Sequence, residues 1–597
     1  MIGKVVRYLK FVLILFALFF NINNYRLGNN ILDTNLIIIS FFSIIICILI
    51  ERDKSKSNIW INILSVIFSL IYVFGNSYYY LKNASLVFGR IDLIILSIFI
   101  FIGYYLLFQL ILKYVFKFFE SNVLIKNIKL NKFQIFDKHP FLVSLIIILF
   151  CWLIYIVAFY PAILNPDSSF EIRQFFGIWT KYNEYSVMLS KKVLITNHHP
   201  VIYTLFLGSF LKIGHFLGND NLGLFMCSLI QIIFLSFTLS YSISYLKRVG
   251  VSNKVRIFIL IVYALCPVFP FYAMTLVKDV LFGCFVMLLI IYLHRFLIDD
   301  KFNYFIFLLI LLGTFLLRNN GYHIMVFTFL LMLILKKNKW KFSLMSLLFV
   351  ITLSFCYNDI LLPTFKITPG SIREILSVPF QQTARYYRDY ENDFSNKDKK
   401  VVDKILDISD LGERYKEEIS DPVKNKFNKH ATDDDLKEYF KVWFKYLFKR
   451  PNVYLDATIN NTYGYFYPEK TNWYYYHKFD DRIVDNGFNY HYNNLSGLRS
   501  ILSSFANIFP SLPIVGLIIN IAFNVWILFI MFGYFLYKKM YSNITLLLPS
   551  FGLVLICILS PVNCYFRYAL PYVFAMPTMF GLFINLIKGE TNEERSK

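Results

Sequence analysis

Seven ionisable side chains lie at the ends of hydrophobic runs, and their types could support group-transfer chemistry. They are two aspartates, one lysine, two arginines and two histidines: Asp167, Asp279, Lys278, Arg318, Arg567, His198 and His199. Ionisable groups in or beside membrane segments are costly, so each of them raises a functional question. A carboxylate can accept a proton from a substrate, and cations can bind a phosphate group. The two aspartates are therefore candidate catalytic residues, and the five basic residues are candidate phosphate ligands.

Each candidate also has a purely structural interpretation. Asp167 could cap a helix that begins at Ser168. Asp279 could pair with its neighbour Lys278, and the two arginines could be anchors at the membrane interface. The two histidines could fix only the exit of their loop. The spacing of Asp167 and His198 does not support a metal site, and we expect neither a metal nor a cofactor.

The candidates are separated by long apolar segments that predict a polytopic membrane protein. Of the 597 residues, 57% are hydrophobic and 16% are charged, whereas a soluble protein has about 25% charged residues. The apolar runs match a hydrocarbon core of about 30 Å, and they predict an all-α protein with about fourteen transmembrane helices. These spans are 9–22, 35–50, 58–75, 91–112, 140–160, 222–246, 256–273, 279–296, 303–317, 321–335, 341–357, 513–537, 543–560 and 568–587. The first run resembles a signal peptide, but it has no cleavage site and is interpreted as a retained span.

The distribution of basic residues predicts the orientation. If the N-terminus is cytoplasmic, most basic residues outside 358–512 lie in short inner loops, as the positive-inside rule requires. This is not a nucleic-acid-binding pattern. Residues 200–217 are apolar enough to span, but a span there would move the basic segment 247–256 outside. We therefore expect 200–217 to be an outer juxtamembrane helix, with both termini of this multi-pass cell-membrane protein in the cytoplasm.

The same pattern divides the chain into four regions. They are an N-terminal four-span module (1–139), a catalytic membrane core (140–357), an extracytoplasmic domain (358–512) and a C-terminal three-span segment with a cytoplasmic tail (513–597). The extracytoplasmic domain is expected to be mainly α-helical. All eight cysteines lie in or beside hydrophobic runs and none lies in 358–512, so no disulfide framework is predicted.

Two segments of the extracytoplasmic domain leave alternatives open. Residues 436–449 form an amphipathic pattern with a lysine stripe, which suits either docking on an anionic membrane or packing inside the domain. The aromatic run 463–477 could stack on sugars or form a core or interfacial belt. The segment 377–385 also places amides and Arg385 near the start of the domain.

The arrangement of acids and turns resembles the GT-C superfamily, membrane glycosyltransferases that use polyprenyl-phosphate-linked sugars. Its members similar to protein mannosyltransferases and aminoarabinose transferases have an acid just past a span in the first outer loop. That loop closes with a His-Pro-Pro-like turn, and a second acid opens a later span. Asp167, His199-Pro200 and Asp279 occupy these places, over roughly 140–357. The chain departs from the pattern in having Asp-Ser-Ser-Phe-Glu up to Glu171 instead of adjacent acids, and a His-His-Pro-Val exit. The pattern of hydrophobic runs and motifs along the chain also looks like that of an uncharacterised group of Gram-positive multi-span proteins.

The resemblance implies a GT-C-like membrane enzyme. The expected reaction moves a sugar from a polyprenyl-phosphate donor to a cell-envelope acceptor on the outer face of the cytoplasmic membrane. The acceptor could be an envelope glycan, a teichoic acid or a protein. Two alternatives stay open, a transporter or flippase of lipid-linked glycans and a non-enzymatic scaffold for envelope assembly. A transporter would be expected to have polar residues at mid-membrane depth and repeat symmetry.

Overall fold

Helices account for the regular structure of the described residues. The computed structural model describes residues 2–32, 36–53, 57–121, 134–180, 195–471, 474–475 and 487–596. Within these ranges extended backbone forms only isolated bridges and no sheet. The all-α class expected from the apolar runs is therefore confirmed.

Six helices lie in the described residues of the N-terminal module before residue 122. They are α1 Ile2–Phe19, α2 Ile22–Leu27, α3 Leu36–Arg52, α4 Ile59–Leu81, α5 Ser85–Phe88 and α6 Ile91–Glu120. The long helix α6 packs against both α1 and α4. Phe68 of α4 stacks on Trp526 with the ring centroids 4.2 Å apart, so the module is attached to the C-terminal segment of the chain.

Eleven further helices follow in the described residues between 134 and 355. They are α7 Gln134–Lys138, α8 Pro140–Ala158, α9 Pro166–Phe175, α10 Val201–Phe216, α11 Asp220–Arg248, α12 Asn253–Leu265, α13 Val268–Met274, α14 Lys278–Leu297, α15 Tyr304–Leu316, α16 Gly321–Leu335 and α17 Trp340–Phe355. A π turn, Cys356–Leu361, and α18, Leu362–Thr364, prolong α17 past the boundary predicted at 357. Helix α10 packs along α11, and Gly214 and Gly223 allow the two backbones to approach closely.

The rest of the described chain forms the domain 358–512, called the outer domain after its predicted position, and three C-terminal helices. The outer domain contains α19 Ser377–Tyr390, α20 Asn396–Asp403, α21 Leu411–Arg414, α22 Asp421–Lys424, α23 Asp433–Lys449, α24 Pro451–Asn460 and α25 Ser496–Ile508. The C-terminal helices are α26 Ile521–Tyr537, α27 Leu548–Ile558 and α28 Phe566–Ser596. Short 3-10 turns are Lys337–Lys339, Ile372–Glu374, Glu391–Asp393, Tyr463–Tyr465, Phe509–Ser511, Val515–Ile518 and Tyr541–Leu547.

The lengths and hydropathy of these helices make the chain a multi-pass membrane protein. Among the described residues, eight helices are long and apolar enough to cross a bilayer, or nine if the bent pair α12 and α13 counts as one span. Four shorter apolar helices are α10, α15, α16 and α26. Each of the fourteen ranges expected to span contains a helix, while the number that cross the membrane stays a prediction.

Two spans are more deeply buried than the others in the described chain, α14 and the apolar part of α28. In the most apolar stretch of each of these helices, 83% of the residues are buried inside the protein, compared with 17% for the span that contains α17. They pack against each other along their length. The bundle therefore has a centre, and the first turns of these two central helices carry Lys278, Asp279 and Arg567.

The outer domain has its own aromatic core, and the amphipathic helix α23 belongs to it. A capping box between Thr432 and Asp435 starts this helix. Leu436, Phe440, Trp443 and Leu447 of its apolar face pack on that core, while Phe444 is exposed. The lysine stripe is paired with acids of the same domain, as in the 2.6 Å contact between Lys445 and Asp398. These contacts favour packing inside the domain over membrane docking.

The outer domain contacts both the N-terminal module and the loop before α28. Glu418 lies 2.7 Å from Lys82 at the end of α4 and accepts a hydrogen bond from Tyr463. The backbone N–H of Ser420 donates to the Pro561 carbonyl, and that of Asn563 donates to the Glu418 carbonyl. The loop that introduces Arg567 is therefore held by the outer domain.

Candidate functional site

A short backbone bridge brings the first acidic loop next to the second. The N–H of Ile163 donates to the Met274 carbonyl at 2.8 Å, and the N–H of Leu276 donates to the Ile163 carbonyl at 2.9 Å. Asn165, and not Asp167, caps the following helix by accepting the Ser168 N–H. The capping role considered for Asp167 is therefore wrong, and its carboxylate lies in the first turn of α9.

A buried glutamine stabilises the break between α13 and α14. Gln231 on α11 is fully buried, and its amide nitrogen donates to the carbonyls of Tyr272, Ala273 and Thr275 at 2.7–3.1 Å. Carbonyls at a helix end need such partners because no water is available inside the bundle. This contact fixes the end of α13, and with it the start of α14 at Lys278.

Arg567 joins the two aspartates. Its Nη2 lies 2.8 Å from Asp167 Oδ2 and 2.9 Å from Asp279 Oδ2, and its Nε donates to the same Asp279 oxygen at 3.0 Å. The planar guanidinium presents several donors in a fixed fork, which suits bridging of this kind. Asp279 also lies in the first turn of α14, where the helix dipole favours a negative charge.

Arg318 contacts Asp279 from the other side. Its Nη1 lies 3.0 Å from Asp279 Oδ1, and its guanidinium carbon lies 5.6 Å and 5.3 Å from the ring centroids of Phe282 and Tyr568. Asp279 is almost completely buried, so its charge is balanced by two arginines. The local pairing of Asp279 with Lys278 that the sequence suggested is not formed, because Lys278 contacts other groups.

Lys278 reaches the histidine turn and the acids of α9. Its ammonium lies 2.8 Å from His199 Nδ1, 3.6 Å from Asp167 Oδ2 and 3.5 Å from Glu171 Oε1. An ammonium can only donate, so Nδ1 of His199 accepts, and the proton of the neutral ring lies on Nε2. The lysine therefore connects three side chains from two segments of the chain.

The His198-His199 turn is positioned by backbone contacts with distant segments. The N–H of Asn197 donates to the Thr368 carbonyl at 2.7 Å, and Asn319 donates to the Asn197 carbonyl at 2.8 Å. Gln174 at the end of α9 donates to the Thr196 carbonyl at 3.0 Å. These contacts of neighbouring residues hold the turn, and the turn places His199 on Lys278.

The charges around α9 determine which carboxylate is ionised. Burial would raise the pKa of Asp167, but the positive charges of Arg567 and Lys278 outweigh it and hold that pKa well below its usual range. Glu171 is more completely buried, and desolvation raises its pKa to about 7 despite the nearby Lys278.

Both histidines are neutral in this environment. Burial lowers the pKa of His198 to about 4 and that of His199 well below its usual range, where the Lys278 charge adds to the effect. A neutral imidazole still carries one N–H that can donate to a phosphate oxygen. The histidines can therefore act as hydrogen-bond donors, but they do not add positive charge.

All seven residues selected from the sequence line one cavity of about 1440 Å³. The outer domain contributes Arg373, Glu374 and Gln382 to the lining of this cavity. An apolar part of the lining comes from α15, α16 and α27: Phe315, Leu316, Phe327, Leu555, Ile556 and Leu559. Leu555 and Leu559 are 45% and 67% exposed. The cavity therefore has a charged end and an apolar side.

The structure adds residues that sequence reasoning did not select. Glu171 lies behind Asp167, one helical turn along α9, and its i+4 spacing was the available signal. Arg373 and Glu374 come from the outer domain, where no local pattern indicated a site. Within the described residues, no group of three or more His, Cys, Asp or Glu side chains is arranged to hold a metal ion.

Gln382 of the segment 377–385 lines the cavity, whereas the other outer-domain signals mark structural contacts. Arg385 turns away from the cavity and binds Asp456 and the carbonyl of Lys82. Tyr465 in the aromatic run is fully buried and donates to the Val562 carbonyl at 2.8 Å. Residues 472–473 and 476–477 of that run lie outside the described residues. The described part of the run therefore supports the core interpretation rather than sugar stacking.

Comparison with known proteins assigns the chain to a family without assigning an activity. No curated protein and no solved structure matches it. One family model matches residues 28–597, which include the whole cavity, most of the N-terminal module and the outer domain. The chain therefore belongs to DUF6020, a family of unknown function.

Proposed function

We propose that this protein transfers a sugar from a polyprenyl-phosphate donor to a cell-envelope acceptor on the outer face of the membrane. The observation that carries the proposal is the cavity, which joins a cluster of cations and carboxylates to an apolar side among membrane helices. A lipid-linked sugar has the same two chemical parts. The GT-C resemblance of the first loop, Asp279 and the His199-Pro200 turn points to the same reaction class.

Arg567 and Lys278 are the proposed ligands of the donor phosphate. Both line the cavity and both contact Asp167, at 2.8 Å and 3.6 Å. Arginine can hold a phosphate through two parallel hydrogen bonds, and lysine adds a point charge. Arg318 forms an ion pair with Asp279 and holds that carboxylate in place. It is therefore expected to contribute less to phosphate binding than Arg567 and Lys278. His198 and His199 can each donate one hydrogen bond.

The proposed chemical step uses Asp167 as the base. The acceptor hydroxyl loses its proton to the Asp167 carboxylate, and its oxygen forms a bond to the anomeric carbon of the sugar. The bond between that carbon and the phosphate oxygen breaks, and polyprenyl phosphate leaves with an additional negative charge. Arg567 and Lys278 stabilise this charge. As they bind phosphate, they release Asp167, and its pKa rises toward a value useful for a base.

The apolar side of the cavity is the proposed path of the polyprenyl chain. Leu559 lies at the end of α27, lines the cavity and is 67% exposed, so a tail could enter there from the lipid. A Leu559→Trp variant should raise KM for a long-chain donor but not for a short-chain analogue. Leu455 of the outer domain is 61% exposed and does not line the cavity, so Leu455→Trp is the matched control.

The experiment that tests the function is turnover by the purified protein in nanodiscs. A polyprenyl-phosphate sugar with a mixture of envelope acceptors should give glycosylated product and polyprenyl phosphate. Efficient transfer from a nucleotide sugar without any lipid carrier would contradict the proposal. Turnover of neither donor, together with movement of a lipid-linked glycan across the bilayer, would assign the protein to the flippase class.

A further inference from the structure

Glu171 is a buried carboxylate that the proposed reaction does not use. It lies one helical turn after Asp167 on α9, and its side chain is 1% exposed. Its Oε2 accepts a hydrogen bond from Thr204 Oγ at 3.4 Å, and its Oε1 lies 3.5 Å from Lys278 Nζ. A buried carboxylate beside a ligand-facing lysine is costly when ionised, so a role beyond packing is expected.

The position of Lys278 gives Glu171 an influence on the cavity. The ammonium has three protons, and three acceptors surround it: His199 Nδ1 at 2.8 Å, Glu171 Oε1 at 3.5 Å and Asp167 Oδ2 at 3.6 Å. A phosphate that enters must compete for Lys278 with whichever of these acceptors is charged. Glu171 is the one that lies away from the cavity and does not line it.

We propose that Glu171 is a positioning residue that controls the affinity for the donor through its own charge. When Glu171 is protonated, Lys278 is shared with only one carboxylate and binds the donor phosphate strongly. When Glu171 is ionised, it holds Lys278 and its negative charge opposes the phosphate. This inference rests on the proposed function, since it assumes that the ligand is a lipid phosphodiester.

The groups that face Glu171 come from every element packed around it. They are Asp167 on its own helix, Lys278 on α14, His199 in the turn before α10, Tyr203 and Thr204 on α10, and Arg567 on α28. Burial is the largest influence, and it raises the pKa of Glu171 to about 7, although Lys278 and Arg567 act in the opposite direction. Glu171 is therefore mainly protonated below pH 7 and mainly ionised above it.

The pH dependence of donor binding measures this effect directly. A polyprenyl methyl phosphodiester is a suitable probe because it has no second acidic proton, unlike a monoester with a pKa near 6. At pH 8, about one tenth of Glu171 is protonated, so the affinity for the probe should be about tenfold weaker than at pH 6. Binding is measured in nanodiscs and does not require turnover.

Glu171→Gln is the central variant. The amide keeps the size of the side chain and an acceptor for Thr204 but has no charge, so binding should be tight and nearly equal at pH 6 and pH 8. Glu413 is an exposed carboxylate of the outer domain that does not line the cavity, and Glu413→Gln should keep the dependence of the wild type.

A second variant, Thr204→Val, tests the inference independently if Glu171→Gln does not fold. Thr204→Val removes the hydroxyl that stabilises the ionised form of Glu171, so the midpoint of the pH dependence should move upward. Binding by the wild type that is independent of pH, or a Glu171→Gln variant with an unchanged dependence, overturns the inference and leaves the proposed function in place. Absence of probe binding at both pH values overturns both.

Discussion

At the scale of single residues, Arg567 is the side chain that joins the two acidic segments. It contacts Asp167 and Asp279 through three hydrogen bonds. A lysine keeps the charge but cannot bridge both carboxylates. Arg567→Lys should lose at least one charge-assisted hydrogen bond, worth about 1.5–3 kcal/mol. This corresponds to a roughly ten- to hundredfold lower kcat/KM in the donor assay.

Arg318→Lys is the matched comparison for that prediction. Arg318 has one close contact with Asp279, and a lysine could preserve it. We expect a smaller loss of activity than for Arg567→Lys, with similar expression of both variants. Equal losses in the two variants would contradict a special role for the bridge that Arg567 forms between the two aspartates.

The second prediction at the scale of single residues concerns Asp167 as the base. Asp167→Asn keeps the size of the side chain and removes the proton acceptor, and such a loss costs about 100- to 10,000-fold in rate. Arg567 stays bound to Asp279, so the amount of protein in the membrane should be close to the wild type. Asp433, an exposed aspartate of the outer domain, gives the control Asp433→Asn. An Asp167→Asn variant with nearly full transfer activity would exclude this residue as the base.

At the scale of secondary-structure elements, the break between α13 and α14 decides where Lys278 and Asp279 lie. Gln231 donates to three carbonyls at this break. Gln231→Leu leaves these acceptors without their donor, at a cost of about 1–3 kcal/mol. We expect a lower melting temperature and a strongly reduced turnover, because the start of α14 shifts away from Arg567.

Gln109 supplies the control for that element. It lies on α6 of the N-terminal module, and its amide nitrogen contacts only side chains, among them Asn62 at 2.8 Å. Gln109→Leu should leave turnover close to the wild type. If Gln231→Leu keeps both its melting temperature and its activity, the glutamine does not hold the break.

At the scale of the whole molecule, contacts join loops that were predicted to lie on the same side. Lys538 lies 2.7 Å from Glu120, and Arg256 lies 2.5 Å from Asp137, all in segments expected inside. The contact of Lys82 with the outer domain likewise joins two segments expected outside. These three contacts agree with the predicted alternation of inner and outer loops. The orientation of the chain in the membrane stays a prediction.

Thiol labelling in intact cells measures that orientation. In a cysteine-free variant, a cysteine at exposed Asp403 should react with an impermeant reagent, and one at exposed Lys301 should react only after permeabilisation. Ser252 in the basic segment 247–256 is buried and would react poorly, so it is unsuitable for this test. Labelling of position 301 in intact cells would contradict the orientation and the treatment of 200–217 as non-spanning.

The sequence by itself determined the helical membrane class and the seven residues around the cavity. Apolar length and the cost of charged groups near lipid are local properties, so they can be read from the chain without any contact. The tertiary structure decided the pairing of Arg567 with Asp167, which is 400 residues away, and the burial of Glu171 behind Lys278. It also decided that the apolar face of α23 packs inside its own domain. These features depend on which helices meet at the centre of the bundle, and no local pattern of residue types specifies that packing.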